Sequence, residues 1–271
     1  MAIVCLHDKQ KIEAILRENT FLHLYEIGDL DDFFWQYTTW YALKEQQRIT
    51  QVALLYSGIR LPVLLGITEE PGDKMRALLS SINHLLPRRF YAHLSEGLAS
   101  VFAHDYQIES HGIHYKMALF DKASLDTVDD ASVVPLTVAD LPALEALYRA
   151  SYPGNSFDPR MLETGRYYGI RDGRTIVSVA GIHVYSPRYR VAVVGNVTTH
   201  PDYRGRGLGT AVCARLCKEL LREVDHVGLN VKADNASAIA SYVRLGFERI
   251  AAYEEFSLKL KGYNESSATE S

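Results

Sequence analysis

The chain has 271 residues, of which 47% are hydrophobic and 23% are charged, and its formal net charge is −4. These proportions are typical of a soluble globular protein. The mild acidity argues against a dedicated nucleic-acid binder, and no apolar run approaches the roughly 18 residues that a membrane helix needs. The length is larger than one hydrophobic core usually organises, so the sequence predicts two domains.

Cysteine content and the first residues bear on the cellular compartment. Only Cys5, Cys213 and Cys217 are present, and residues 1–10 lack the basic and apolar regions of a secretory signal. We therefore expect a reduced, cytoplasmic chain. Cys213 and Cys217 stand four residues apart with no histidine nearby in the sequence, which favours core packing over a metal site, and we expect no metal.

Charge is distributed unevenly along the chain. Residues 1–132 carry 12 Lys and Arg against 18 Asp and Glu, whereas residues 133–271 carry 17 against 15. Eight arginines fall within 160–206, which indicates either a solvated face or an anionic ligand of the second half. A stretch poor in large apolar residues separates the halves. The predicted organisation is a domain at 1–121, a linker at 122–132, a domain at 133–261 and a disordered tail at 262–271.

Hydrophobic periodicity in the first half predicts a mixed α/β order. The predicted elements are a helix at 8–18, strands at 49–56 and 61–67, a helix at 72–86 and one or two strands at 107–119. Ser57 and Gly58 between the first two strands are typical of a hairpin turn. The aromatic stretch at 33–41 is predicted to lie in the core, with a pocket or an interface as the alternative.

The second half shows a clearer alternation of strands and helices. The predicted elements are a strand at 133–137, a helix at 138–152, a loop at 151–159, strands at 176–185 and 190–199, a loop at 200–207, a helix at 208–223, a strand at 227–231, a helix at 235–245 and a strand at 253–260. The order again predicts a mixed α/β domain.

One segment of this half combines a strand end, three glycines and a helix start. Gly205, Gly207 and Gly209 lead into the predicted helix. Glycines let backbone N–H groups approach a ligand, and the helix start adds unpaired donors and the positive end of the helix dipole. With Arg204 and Arg206 beside them, the glycines predict a site for a phosphate or pyrophosphate, and a plain glycine-rich turn is the alternative.

Two common phosphate-binding motifs do not fit this segment. A P-loop needs a lysine before the serine or threonine that follows its last glycine, and no lysine separates Gly209 from Thr210. A dinucleotide-binding turn needs a glycine where Thr210 stands. Asp225 has the spacing of a ribose-binding acid, but it precedes a predicted strand instead of following one. A nicotinamide enzyme is therefore the weakest of the functional hypotheses.

Two motifs follow each other along this half. Residues 204–209 read R-x-x-G-x-G, and the pattern N-x-x-A-x-x-x-Y-x-x-x-G-F is completed downstream by Asn235, Ala238, Tyr242, Gly246 and Phe247. Together they resemble the GNAT superfamily of acyl-CoA-dependent N-acetyltransferases. The resemblance covers about residues 133–260 and implies the α/β fold of that family, whose mixed sheet opens next to the glycine loop.

The resemblance implies that the second half binds acetyl-CoA as a co-substrate. The implied cofactor-binding residues are Val197, Thr198, Thr199, Arg204, Gly205, Arg206, Gly207, Leu208, Gly209, Thr210 and Asn235. A backbone N–H within 197–199 is implied to meet the oxyanion. Tyr242 matches the tyrosine that protonates the leaving CoA thiolate, and a packed helix tyrosine is the alternative. A phenol with a pKa of about 10 can donate a proton to a thiolate whose conjugate acid has a pKa of about 8.5.

The general base departs from the family pattern. Val193 stands where many members have a glutamate. His183, Tyr185, His200 and Glu163 lie in segments from which a base could come, and a structural or exposed role is the alternative for each. A water relay or a neutral acceptor amine would need none of them.

Acceptor contacts are less clearly indicated than cofactor contacts. Asn196, His183 and Tyr185 are candidate substrate-binding residues. The loop at 152–157 follows the first helix of this half, where the family usually binds acceptors, and a plain connection is the alternative.

The first half loosely echoes the second, as in tandem GNAT proteins. Its equivalent strand-to-helix segment, 69–74, is acidic and has one glycine, and acidic side chains would repel a pyrophosphate. The sequence therefore predicts a degenerate GNAT-like domain without cofactor, which walls the acceptor site or forms a dimer surface.

The function predicted from these motifs is direct transfer of an acetyl group from acetyl-CoA to an amine. The acceptor is predicted to be a small molecule or a peptide, with no nucleic-acid or membrane partner, and the protein to be a monomer or a homodimer. A non-catalytic acyl-CoA-binding or sensing protein is the alternative, because the base is not identified.

Overall fold

The computed structural model describes residues 1–69, 72–155 and 157–263. No helix within these ranges is both long and apolar enough to cross a membrane. The chain forms two compact units. The first unit contains Met1–Asn19, Asp32–His114 and the described chain from Ala252 onward, and the second contains Thr20–Asp31 and Tyr115–Ala251.

The two halves of the sequence follow similar orders of elements. The first half contains β1 (Ala2–Leu6), α1 (Lys9–Leu16), α2 (Leu24–Gly28), α3 (Asp32–Trp35), β2 (Thr38–Glu45), β3 (Arg48–Tyr56), β4 (Val63–Gly66), α4 (Asp73–Ile82), β5 (Arg89–Leu94) and β6 (Tyr106–Leu119). The second half contains β7 (Val134–Pro135), α5 (Leu141–Ser151), β8 (Tyr168–Asp172), β9 (Thr175–Ser186), β10 (Val191–Thr199), α6 (Leu208–Leu220), β11 (His226–Lys232), α7 (Ala236–Arg244) and β12 (Phe247–Leu260). Short 3-10 helices occupy Arg17–Asn19, Asn83–Leu85, Leu98–Phe102, Lys122–Thr127, Val138–Asp140, Pro159–Thr164 and Pro201–Tyr203.

The compact units divide the chain at other places than the predicted linker at 122–132. Thr20–Asp31 belongs to the second unit, and the last strand β12 passes from the second unit to the first at Ala252. Strand β6 passes in the opposite direction after His114. The predicted domain bounds therefore remain a prediction about which parts fold independently.

The sheet of the first unit runs in the order β1-β2-β3-β4-β5-β12. Strands β4 and β5 are parallel, and the other neighbouring pairs are antiparallel. Helix α4 has apolar residues three and four positions apart, and all of them are buried in the core of this unit: Met75, Leu78, Leu79 and Ile82. This spacing puts one apolar stripe against the sheet, which explains why the segment forms a helix.

The sheet of the second unit includes β11-β10-β9-β8-β7 in that order. Strands β10 and β11 are parallel, whereas β9 pairs antiparallel with both β10 and β8. Helices α5 and α6 contact β9 and β10. Cys213 and Cys217 are buried on α6, so the predicted core packing of the two cysteines is confirmed.

Most predicted elements are present, and the differences have local causes. The last strand begins at Phe247 instead of 253, because Gly246, with φ of +91°, completes the turn and frees the next residue to pair. The strand predicted at 133–137 is reduced to Val134–Pro135, since Val138 already starts a 3-10 turn. Four strands are additional to the predicted set: β1, β2, β5 and β8. The predicted tail from 264 onward lies outside the described residues.

The aromatic stretch at 33–41 ends within β2. Phe34, Trp40 and Tyr41 are buried, which agrees with the predicted core position. Its first residues belong to α3 and a turn, and only its last residues belong to β2.

Candidate active site

Strands β10 and β11 separate halfway along their length. They pair from Val191 opposite His226 to Val194 opposite Leu229, and the paired register ends there, although β10 continues to Thr199. On its other side, β10 pairs with β9 at Gly195 and next at Thr198, so two residues of β10 face one of β9. Such a bulge bends its strand. The resulting opening lies at the strand end that the sequence predicted as part of the cofactor site.

The two bulged residues, Asn196 and Val197, differ in burial. Asn196 has φ of +53° and is buried, and its Nδ2 donates to the Tyr167 hydroxyl over 3.3 Å. Asparagine accepts this left-handed backbone conformation more readily than most residues. Val197 is only partly buried. The side-chain amide of Asn196 is thus bonded within the protein. Its predicted contact with an acceptor stays a prediction.

The glycine loop reaches α6 through two left-handed turns. Gly205 and Gly207 have φ of +76° and +77°, and a Cβ on either would meet no atom within 4 Å. Gly207 is the N-cap of α6 and contributes no side chain to the capping of its first N–H groups. Space at the glycines and uncapped donors at the start of a long helix are the features that an anionic ligand needs.

The two loop arginines bond to main-chain carbonyls around the loop. Arg204 Nε donates to the Thr199 carbonyl over 3.2 Å, and Arg206 donates to the Asp202 carbonyl over 2.9 Å. Arg206 also lies 4.9 Å from the centroid of the Tyr203 ring. These contacts hold two positive charges next to the predicted pyrophosphate position and fix the path of the loop.

Hydroxyl groups join the end of β10 to its neighbours. Thr198 Oγ1 donates to Ser151 Oγ over 3.0 Å, and Thr199 Oγ1 lies 2.8 Å from Ser178 Oγ. The Cβ position of Gly209 lies 3.4 Å from Thr199 Oγ1, so the first turn of α6 sits against the strand end. The structure thus brings together the predicted strand, loop and helix residues, including the half-buried Leu208 and the buried Thr210.

Asn235 caps helix α7. Its Oδ1 accepts from the Ala238 N–H over 3.2 Å and from Ser237 Oγ over the same distance. The side chain is thereby held at the helix start, at the exposed end of the second motif. Its predicted contact with the pantetheine arm stays a prediction.

Tyr242 lies on α7 with its side chain almost fully buried. Burial raises the pKa of its hydroxyl well above the usual value, and the nearby Cys213, Cys217 and Tyr152 raise it further. Its ring centroid lies 6.0 Å from that of Phe247. A phenol in this environment keeps its proton at neutral pH, which a general acid requires.

The candidate bases have different surroundings. His183 is half-buried and lies over Gly195, where any Cβ would come within 2.0 Å of the imidazole Cδ2. Its ring centroid is 5.9 Å from that of Tyr25. The Tyr185 hydroxyl is bonded to Glu223 and Arg166. His200 caps a 3-10 turn, and Glu163 is exposed in another.

Val193 lines a small recess that β10 shares with residues of α2, β6 and β11. The recess has a volume of about 10 Å³, room for one water molecule. Its wall is largely apolar, with Lys116 and Asn230 as the polar members, and the lining residues are Phe21, Leu24, Tyr25, Lys116, Met117, Val193, Leu229 and Asn230. The position of the family glutamate is thus apolar and buried.

Sequence reasoning missed Tyr148 and Tyr167, which contact the bulge. The Tyr148 hydroxyl donates to the Asn196 carbonyl over 3.0 Å. Gly181 is required opposite Gly195, because a Cβ there would meet the Tyr167 ring at 2.1 Å. The sequence feature that indicates the bulge is the pair Gly195 and Asn196 inside a strand rich in β-branched residues. Both residues are unfavourable in a regular strand.

Comparison with known proteins agrees with this geometry. Residues 137–247 match the model of the acetyltransferase (GNAT) family. The chain is similar to N-alpha-acetyltransferase RimI of Mycobacterium tuberculosis, with 34% identity over 106 residues that cover 36% of this chain and 63% of that relative. The chain spans between 28% and 63% of the length of the first curated relatives that it matches.

Two solved structures share the fold. A putative GNAT-family acetyltransferase from Novosphingobium aromaticivorans DSM 12444 has a TM-score of 0.59 and 22% identity, covering 77% of this chain and 88% of its own. A tandem GNAT protein from the clavulanic acid biosynthesis pathway has a TM-score of 0.55 and 18% identity, covering 97% of this chain and 99% of its own. The mixed α/β architecture is therefore the GNAT fold, and residues 137–247 carry the match to the acetyltransferase (GNAT) family.

Proposed function

We propose that this protein is an acetyl-CoA-dependent N-acetyltransferase whose reaction takes place in the second unit. The observation that carries the proposal is the parting of β10 and β11 after Val194 and Leu229, directly beside the left-handed glycine turn at the start of α6. An opening between parallel strands next to an anion-binding helix start accommodates a long ligand with a phosphate group.

The residues around the glycine loop fit the pyrophosphate of acetyl-CoA. Gly205 and Gly207 leave open space where side chains would stand, and Arg204 and Arg206 supply charge beside it. Val197, Thr198 and Thr199 line the neighbouring strand end, and Asn235 stands at the start of α7. When bound, acetyl-CoA supplies a thioester that an amine can attack.

Two groups of the chain act on the charges that develop during this attack. We propose that the Val197 N–H at the bulge donates to the thioester oxygen as it becomes an oxyanion. The Tyr242 hydroxyl donates its proton to the departing sulfur. Burial raises the pKa of this phenol, and the same low-polarity surroundings raise the basicity of a buried thiolate, so the transfer stays feasible.

His183 is the base that the surroundings favour. It lies over Gly195 next to the bulge, whereas the hydroxyl of Tyr185 is bonded to Glu223 and Arg166. Its imidazole is the kind of side chain that accepts a proton from an attacking ammonium near neutral pH.

We propose an α-amino group as the acceptor. The support is the similarity to a relative named as an N-alpha-acetyltransferase, which covers 36% of this chain. The panel that tests this contains peptides with free α-amino groups, the same peptides with blocked N-termini and a free lysine side chain, and small primary amines.

Three free thiols support a cytoplasmic location for this reaction. Cys213 and Cys217 are buried on α6, and Cys5 is exposed; none of the three forms a disulfide. Free thiols are typical of a reducing compartment.

Calorimetric binding of acetyl-CoA, followed by CoA release with the amine panel, tests the proposed function. We expect binding, CoA release with α-amino peptides, and loss of that release in Tyr242→Phe with binding retained. Absence of acetyl-CoA binding contradicts the proposal, and turnover unchanged in Tyr242→Phe contradicts the role of this tyrosine.

A non-catalytic acyl-CoA sensor is the second candidate. The specific observation in its favour is Val193, which is buried and apolar where many family members have a glutamate. Tight acetyl-CoA binding without CoA release on any amine of the panel would establish this alternative.

A further inference from the structure

A series of buried hydrogen bonds in the second unit ends on the bulge of β10. The Tyr148 hydroxyl on α5 donates to the Asn196 carbonyl over 3.0 Å, and Asn196 Nδ2 donates to the Tyr167 hydroxyl over 3.3 Å. That hydroxyl donates in turn to the Ile182 carbonyl on β9 over 3.2 Å. The side chains of Tyr148, Asn196 and Tyr167 are each at most 4% exposed. Both tyrosines therefore hold the bulge in place through hydrogen bonds that are buried away from solvent.

The carbonyl held by Tyr148 belongs to the peptide unit that also carries the Val197 N–H. In a planar trans peptide the carbonyl and the N–H point in opposite directions, so fixing one fixes the other. A hydrogen bond accepted by the carbonyl also polarises the unit and strengthens its N–H as a donor. Tyr148 thus controls both the direction and the donor strength of the Val197 N–H.

Asparagine suits position 196 for two reasons. Its backbone has φ of +53°, a conformation that strains most residues with a Cβ. Its amide also reaches the Tyr167 hydroxyl, which a glycine at this position could not do. The residue therefore allows the bulge to form and anchors it to β9.

The two hydroxyls remain donors over the working pH range. Burial raises the pKa of Tyr148 well above its usual value, and it also raises the pKa of Tyr167. Because neither phenol ionises near neutral pH, the direction of the hydrogen bonds does not change with pH.

We propose that Tyr148, Asn196 and Tyr167 form a positioning network that aims the Val197 N–H at the thioester oxygen of bound acetyl-CoA. The inference rests on the proposed function. These side chains act through the bulge and not on the reacting atoms, so they are positioning residues. Since the glycine loop holds the cofactor, we expect the network to affect the rate of acetyl transfer and to leave cofactor affinity unchanged.

The test uses the full chain, acetyl-CoA and the best amine of the panel. In Tyr148→Phe we expect kcat to fall about tenfold to a hundredfold, because a misplaced donor loses most of its stabilisation of the transition state. The Kd for acetyl-CoA, measured by calorimetry, stays within about threefold, because the glycine loop is untouched. The matched control is Tyr168→Phe, which removes the hydroxyl of a buried tyrosine outside the network.

Position 196 gives an independent measurement. Asn196→Ala loses both the amide and the tolerance for positive φ, whereas Asn196→Gly loses only the amide. We therefore expect Asn196→Gly to recover part of the kcat that Asn196→Ala loses, at the same acetyl-CoA Kd. Thermal melting of each variant establishes that the compared molecules are folded.

The outcomes separate this inference from the proposed function. A wild-type protein that binds no acetyl-CoA, or that releases no CoA with any amine, overturns both. If the wild-type protein turns over and Tyr148→Phe and Asn196→Ala have the same kcat as wild type, the positioning network alone is overturned. A parallel loss of kcat and acetyl-CoA affinity in these variants also overturns the network alone, because a merely structural role predicts it. The same holds if Tyr168→Phe loses as much kcat as Tyr148→Phe.

Discussion

The fourth strand of each half leads into a helix, and the two junctions differ in their backbone. In the first half, β4 pairs with β5 along its whole length, from Val63 to Gly66, and its pairs with β3 follow one register. In the second half, β10 is bulged at Asn196 and parts from β11 after Val194. Similar orders of elements therefore contain a closed strand pair in the first unit and an opening in the second.

The segments that follow these strands also differ in charge and glycine geometry. The helix α4 begins with Asp73, whose carboxylate already stands at the positive helix end. In contrast, α6 begins after Gly207, with Arg204 and Arg206 beside the loop. Glu70 and Pro71 of the first segment lie outside the described residues. The comparison teaches that a shared fold provides the scaffold, whereas a bulge, two left-handed glycines and local charge provide an anion site.

The largest expected effect comes from Tyr242→Phe in the second unit. Loss of the general acid should lower kcat about 100- to 10,000-fold, because the thiolate then leaves without a proton. Initial rates of CoA release at saturating acetyl-CoA measure this. Tyr106→Phe removes a buried tyrosine hydroxyl in the first unit, where it is bonded to the Pro87 carbonyl, and should leave kcat unchanged. Equal losses of kcat in Tyr242→Phe and Tyr106→Phe would contradict the proposal that the reaction takes place in the second unit.

His183→Gln should give the next largest effect. We expect kcat to fall about 100-fold, because glutamine cannot accept the proton of the attacking ammonium, while the acetyl-CoA Kd remains at its wild-type value. Rates at several pH values and calorimetry measure the two quantities. His111→Gln, which removes an imidazole bonded to Ser257 in the first unit, is the control. A wild-type rate in His183→Gln would remove this residue from the proposed reaction.

Gly207→Ala should weaken acetyl-CoA binding about tenfold. A Cβ in the left-handed conformation costs about 1–2 kcal/mol, so the loop should abandon its ligand-binding shape in the free protein. The control is Gly97→Ala, because Gly97 in the first unit also has a positive φ, of +75°, and an added Cβ would meet Arg76 Nη2 at an ordinary contact distance of 3.9 Å. Calorimetry should show wild-type affinity for Gly97→Ala. Equal affinities for both variants would contradict the assignment of the loop.

The smallest effect on acetyl transfer should come from Glu255→Gln. This first-unit carboxylate accepts from the Tyr253 hydroxyl over 2.6 Å and from the Tyr91 hydroxyl over 2.5 Å, and His93 and His114 each lie 3.4 Å away. Burial raises the pKa of Glu255, but the two imidazoles and the tyrosine hydroxyls outweigh it and hold the pKa below the ordinary 4.5.

A carboxylate with a lowered folded pKa contributes stability that is present above its unfolded pKa and is lost as the pH falls through the folded one. Glu255→Gln should therefore be less stable than wild type at neutral pH and lose less further stability in acid. Denaturant unfolding between pH 7 and pH 3 measures this. Parallel pH curves for the two proteins, or altered acetyl-CoA affinity in the variant, would contradict the expectation.

Regular packing was predictable from local sequence, and the bent strand was not. The apolar spacing of α4 and the Ser57 and Gly58 turn were enough to predict a helix and a hairpin, because each pattern is set by neighbouring residues. Strand β5 was missed although it alternates buried and half-buried residues from Arg89 to Leu94, because Tyr91 and His93 make its outer face look mixed.

Candidate site residues divide in the same way. The motifs at 204–209 and 235–247 could be identified because their spacing is fixed by one loop and one helix. The contacts of Asn196 with Tyr148 and Tyr167 join residues 29 to 48 positions apart. No local sequence pattern indicates such contacts, since they depend on how α5 and the residue before β8 pack against the bulge.

The stoichiometry of acetyl-CoA binding tests the central difference between the two halves most directly. Calorimetric titration of the full chain should give one acetyl-CoA per chain, and Gly207→Ala should weaken that single event. Two binding events per chain would contradict the claim that the closed strand pair of the first unit prevents acetyl-CoA binding. No binding at all would contradict the proposed cofactor site of the second unit.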